Sequence, residues 1–264
     1  MWTERVGVVV AAGLGLLIGV VIGGLGGGGG VLTVPLLVYV LGQSAQDATT
    51  GSVVIVGISA AFGVLSRRRD GLVRWQTGLA LGAAGIPAAA LGTVLNQRVA
   101  EPVLLLSFAV LTVLAALALI LDGRPGSAAE ASGGVAVRTR ISVVRVVGCG
   151  VVIGSLTGFL GVGGGFLLVP ALVIVLRMPM VPAVGTSLLV IAINSAAAFA
   201  VRAGAAAELD WGVLVPFTVA AVLAGFAGRR LADRCSGPVL GRAFAGMLLL
   251  VGLFVGVESV IALT

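Results

Sequence analysis

The sequence predicts an all-α polytopic integral membrane protein. Two inverted repeats compose it, each with a glycine-tipped helical hairpin and about three full transmembrane helices. Three observations carry this expectation. The 264-residue chain is 59% hydrophobic and 10% charged, against about 25% charged residues in a soluble domain. Its apolar runs are long enough to cross a bilayer without a charge. One glycine cluster, Gly23–Pro35 (GGLGGGGGVLTVP), returns as Gly158–Pro170 (GFLGVGGGFLLVP), each inside such a run.

Taken in order, the first half carries apolar segments at Val6–Gly24, Val31–Leu41, Ala48–Leu65, Trp75–Leu95 and Val103–Leu121. The second carries Val143–Leu160, Phe166–Leu176, Ala183–Val201, Trp211–Ala227 and Val239–Leu263. The opening MWTER and its apolar run lead straight into the first glycine cluster, so they read as a membrane segment and not as a signal peptide. Gly13–Pro35 lies on Gly148–Pro170 with most glycines, Ile18, Leu25, Leu32, Val34 and Pro35 matched. Ser52 falls on Ser187, and Trp75 on Trp211. Residues 1–121 and 143–264 are therefore two membrane repeats. Residues 122–142, rich in Gly, Ala, Ser and charge, form a cytoplasmic linker.

Lysine and histidine are absent, so all 16 basic residues are arginine and the net charge is +6. They lie between apolar segments, as cytoplasmic flank signals do, and no nucleic-acid partner is expected. The loop Ser66–Arg74 holds Arg67, Arg68, Arg69 and Arg74, while its counterpart Arg202–Asp210 holds one arginine. Conversely, Asn96–Glu101 holds one arginine and its counterpart Arg229–Arg242 holds Arg229, Arg230, Arg234 and Arg242. Corresponding loops thus carry opposite orientation signals, which predicts inverted halves. No arginine falls deep within the segments marked above.

Val31–Leu41 rises about 16 Å as a helix, half of a ~30 Å hydrocarbon core. A glycine cluster cannot continue as a stable helix. Each cluster is therefore expected near the midplane, at the tip of a hairpin that dips in and returns, with the two tips meeting. Helix N-termini at the tips offer unpaired N–H groups and about half a positive charge. With glycines admitting a close approach, they form an anion site that needs no cationic side chain. The expected substrate-binding residues are Gly26, Gly28, Gly29, Gly30, Pro35, Gly161, Gly163, Gly164, Gly165 and Pro170. Ser52, Thr186, Ser187 and Asn194 join them as path-lining polar groups, Ser187 and Asn194 sharing one helix face two turns apart. The other reading of those four is interhelical hydrogen bonding. Gly13, Gly15 and Gly19 read as packing positions, where Gly19→Ala is expected to be mild.

No cofactor, metal or catalytic set is expected. Cys149 and Cys235 belong to no metal-spaced cluster, and the acids, Asp47 and Glu258 among them, lie in loops or near segment ends. Transport of a small anion, transport of another small solute, and a non-transporting membrane assembly role all remain open at this point.

The paired GxGGGxxxVP elements, and Ala183-Val184-Gly185-Thr186-Ser187 after the second, resemble the TauE/SafE sulfite exporter family. In the first half the corresponding residues are Ala48-Thr49-Thr50-Gly51-Ser52. The resemblance covers nearly the whole chain outside the linker. It implies a small multi-pass permease of the plasma membrane that exports sulfur-containing anions such as sulfite, sulfonates or sulfoacetate.

Overall fold

Apolar runs surrounded by lipid must satisfy their backbone internally, and each run forms a helix. The structure, a computed structural model, describes residues 2–27, 29–96, 99, 101–121, 143–160, 165–201 and 209–263. The helices are α1 (Trp2–Leu25), α2 (Gly29–Pro35), α3 (Ala45–Arg67), α4 (Trp75–Asn96), α5 (Glu101–Leu121), α6 (Val143–Leu160), α7 (Gly165–Ile174), α8 (Met180–Val201), α9 (Trp211–Asp233) and α10 (Gly237–Leu263). A π-helical turn, Leu36–Val40, extends α2. Among the described residues, seven helices, α1, α3, α4, α6, α8, α9 and α10, are long and apolar enough to span a membrane. The linker 122–142 lies outside the described residues.

Polar ends lengthen the helices beyond the apolar runs. α3 begins at Ala45 because the Ser44 hydroxyl accepts the Asp47 N–H at 3.1 Å. α9 continues through Arg229 to Asp233, where Arg229 pairs with Asp70 and, at 3.4 Å, with Asp233. That pairing, with Arg229 also donating to the Ser66 carbonyl, brings the two arginine-rich loops of the sequence to one end of the bundle.

Small residues bring helices into backbone contact. On α1, Gly15, Gly19 and Gly23 face Phe217, Ala221 and Gly225 of α9. On α6, Gly150, Gly154 and Gly158 face Leu81, Gly85 and Ala89 of α4. These two seams are equivalent under the repeat, residue by residue. In each the numbering climbs together on both helices, so the paired helices run parallel. The pair α3 and α8, equivalent to each other, runs antiparallel: Gly57 meets Ser195 and Gly63 meets Leu188. Gly252 and Gly256 of α10 meet the α5 stretch Ala109–Val113 in the same antiparallel sense.

The seams change what Gly19 tolerates. A Cβ there would stand 2.1 Å from the Ala221 carbonyl oxygen, whereas at Gly13 nothing lies within 4 Å. The expected mildness of Gly19→Ala is therefore reversed, because the neighbour is backbone and has no rotamer to move. In detergent, Gly19→Ala is expected to cost about 1–3 kcal/mol by overpacking, and Gly13→Ala less than ~0.5 kcal/mol. Thermal unfolding of the two variants side by side measures this. Equal midpoints would refute the close seam.

Arg67 departs from the sequence reading. It closes α3 instead of sitting in a loop, and only 2% of it is exposed. It continues the buried stripe of Val56, Ala60 and Val64 at helical spacing, which carries its stem inward.

Candidate functional site

Gly27, just past the end of α1, and Gly165, the first residue of α7, abut at the heart of the bundle. α1 stops at Leu25 and Gly26 turns left-handed, with φ +77°. Its N–H donates to the Ile22 carbonyl at 2.9 Å, a helix stop that glycine makes at least cost. A side chain is excluded twice over at this position, since a Cβ would also lie 2.6 Å from Val184 Cγ1. Next along, a Cβ on Gly27 would lie 2.2 Å from the Gly165 carbonyl oxygen, and one on Gly165 would lie 3.1 Å from the Gly27 oxygen. The first tip thus touches the second, backbone to backbone. α2 and α7 both start at this junction, at Gly29 and Gly165, so their first-turn amides, unpaired within the helix, gather there.

The surrounding residues hold the turn. Gly29 packs against Ile22, where a Cβ would come 2.0 Å from Ile22 Cγ1, and Gly30 is buried. Buried Thr33 donates to the Gly29 carbonyl at 2.7 Å. Phe166 lies edge-on to Phe108 of α5, with ring centroids 5.1 Å apart. Pro170 is buried within α7, and Pro35 is half-buried where α2 passes into its π turn. Gly28, Gly161, Gly163 and Gly164 lie outside the described residues.

The four polar residues expected to line a path divide by position. Ser187 is fully buried and its hydroxyl lies 2.9 Å from the Gly26 carbonyl and 2.8 Å from that of Val184, so it reaches the first tip. Thr186 does not: its hydroxyl donates to the Pro182 carbonyl at 2.8 Å and accepts the Arg74 N–H at 3.1 Å, tying the α3–α4 loop to α8. Ser52 is 8% exposed and donates to Thr49 of its own helix at 3.1 Å. Asn194 Oδ1 is buried without a hydrogen-bond partner, as is the hydroxyl of its repeat equivalent Ser59. An orphan buried polar atom on each of two equivalent helices is a feature that packing alone leaves unexplained.

Beside the first tip lies a small open cleft lined by Gly24, Arg67, Val181, Val184, Ala232, Asp233 and Leu240. It sits at the arginine-rich end. Arg67 Nη2 donates to the Gly23 carbonyl at 2.5 Å, near the end of α1, while Nη1 is buried with no hydrogen-bond partner.

Two of these residues escape a sequence reading. Gly27 occupies the variable position of the GxGGG element, where the second copy has Val162, so the repeat comparison hid it. Arg67 was hidden by its neighbours Arg68 and Arg69. The signal that finds it is helical phase, since it alone of the three continues the stripe of Val56, Ala60 and Val64.

The chain is similar to proteins named as membrane transporters. Two proteins of Xylella fastidiosa, from strains Temecula1 and 9a5c, each named "Probable membrane transporter protein", are 32% identical over 251 residues, 94% of either chain. The "Probable membrane transporter protein YunE" of Bacillus subtilis strain 168 is 28% identical over 208 residues, 71% of this chain and 75% of its own. No solved structure matches the chain. The profile of the family described as sulfite exporter TauE/SafE matches residues 11–255, so this multi-pass membrane protein belongs to the TauE/SafE family of membrane transporters.

Proposed function

We propose that the chain is a secondary transporter that exports a small sulfur-containing anion, such as sulfite, a sulfonate or sulfoacetate, across the plasma membrane. The observation that carries this reading is the Gly27–Gly165 junction, where the end of α1 meets the start of α7 close to the start of α2. Backbone N–H groups there offer charge complementarity without side chains, and glycine lets the ligand reach them. The family's description supports a sulfur oxyanion as cargo. Ser187 braces the first tip, and Asn194 and Ser59 supply polar groups to a path through the bundle. The test is flux from proteoliposomes loaded in turn with sulfite, thiosulfate, sulfate, taurine and sulfoacetate. Movement of at least one sulfur anion is expected. Binding without flux would favour a non-transporting role instead.

The same reading has the two halves inserted in opposite senses, with the arginine-rich end inside. Support comes from the antiparallel run of α3 against α8 and from the meeting of Arg229 with Asp70. Because Cys235 is only half-buried, the labelling background is Cys235→Ser. In cells, cysteines at Arg68 and Arg230 are expected to be protected from an impermeant external thiol reagent, and cysteines at Asn96 and Gly204 to be labelled. Labelling at Arg230 with protection at Gly204 would mean parallel halves.

A further inference from the structure

We propose that Arg67 and the cleft beside it form a second oxyanion-binding station, at the arginine-rich end of the bundle and directly beneath the first glycine tip. The inference rests on the reading of the chain as an anion carrier, and it adds a cationic side chain to a site expected to have none.

The geometry is that of a held and aimed guanidinium. One nitrogen, Nη2, is fixed by the Gly23 carbonyl at 2.5 Å. That bond orients the planar fork. The other, Nη1, is buried and unpartnered, and the residue lines the cleft with 2% of its surface exposed. An arginine stays charged in any protein setting, and a buried charge without a partner is costly unless something satisfies it. Asp233 is the one carboxylate lining the cleft. It is engaged by Arg229 Nε at 3.4 Å, and Arg229 holds Asp70 as well. Both acids are more than two-fifths exposed, with side-chain exposures of 43% and 42%, so solvent screens them. Arg67 is the member of this group that water does not reach.

The enclosed part of the cleft is small, with room for about one water, and it opens outward. An anion therefore sits at its mouth and directs one or two oxygens at Nη1. The cleft walls are apolar apart from Arg67 and Asp233, which keeps the local dielectric low and the charge-assisted hydrogen bond strong. Val184 joins the cleft to the tip, since it lines the one and touches Gly26 of the other. The ligand class that fits is an anion presenting two or more oxygens to one fork, such as sulfite, sulfate, nitrate or formate. Arg67 collects it from the arginine-rich side and passes it to the backbone amides above.

The test uses the purified full chain in a chloride-free gluconate buffer, titrated separately with sodium sulfite, sulfate, nitrate and formate while thermal unfolding is followed. At least one anion is expected to stabilise the wild type. Arg67→Gln should weaken that anion's affinity at least tenfold, and Arg67→Lys less, because it keeps the charge and loses the fork. Val181→Trp leaves Arg67 intact and fills the cleft, so it should weaken binding similarly and keeps the test open if Arg67→Gln fails to fold. Wild-type affinity in the folded Arg67→Gln or Val181→Trp protein would overturn the proposal, as would a wild type indifferent to all four anions. Flux separates the two ideas. Sulfite flux with an unchanged KM in Arg67→Gln sinks this station and leaves the export reading standing. Anion binding lost in Arg67→Gln, in a protein that moves no sulfur anion, sinks the export reading and leaves the station.

Discussion

Gly27→Ala protein in liposomes is expected to keep its helical content and lose roughly tenfold or more of its anion efflux, equivalent to about 1.4 kcal/mol at the binding step. The reason is steric. The added methyl would stand 2.2 Å from the Gly165 carbonyl oxygen, with Val169 Cγ2 at 3.3 Å behind it. A carbonyl cannot rotate away as a side chain can, so the tips must separate. Inserting one carbon into a packed contact costs about 1–3 kcal/mol, and here the strain falls where the helix starts converge. Gly13→Ala is the control, because that position faces open space. Circular dichroism and gel filtration should find both variants folded. Wild-type efflux from Gly27→Ala would remove the tip contact from the transport path.

Membrane potential is the second large lever. A proton relay needs ionisable groups buried within the spans, and the described acidic side chains, Asp47, Asp70, Asp210 and Asp233, lie at helix ends or in loops. A site of backbone amides and one arginine has no proton to exchange, so the anion is expected to move down its own electrochemical gradient. Each negative charge leaving a cell with a negative interior gains about 2.3 kcal/mol per 100 mV. That corresponds to a roughly fortyfold gradient at equilibrium, since 1.4 kcal/mol is tenfold. Efflux from liposomes clamped with potassium and valinomycin should accelerate as the interior becomes more negative, with no pH or sodium gradient present. Flux appearing only under an imposed proton or sodium gradient would rule the mechanism out.

What the sequence determined by itself was the architecture that lipid enforces. Every marked apolar run became a helix, because an unpaired peptide group in hydrocarbon costs several kcal/mol and leaves few alternatives. The repeat was legible as matched text, and the short helices after each glycine cluster followed from the length of Val31–Leu41 and Phe166–Leu176. Family membership was legible too, in the paired GxGGGxxxVP elements.

The tertiary structure decided which residues of those elements meet. Gly27 bears on Gly165 although its own repeat position carries Val162, because contact between the tips joins different residues of the two copies. Ser187 reaches the tip and its neighbour Thr186 does not, since adjacent residues on a helix point about 100° apart. Gly19 admits no methyl because a particular carbonyl of α9 lies opposite it, and Gly13 admits one because none does. Arg67 is buried while Arg68 and Arg69 are exposed, the three differing only in helical phase against Gly23. A string of residues records composition and period; the distance from a side chain to another helix's backbone exists only once the helices have packed.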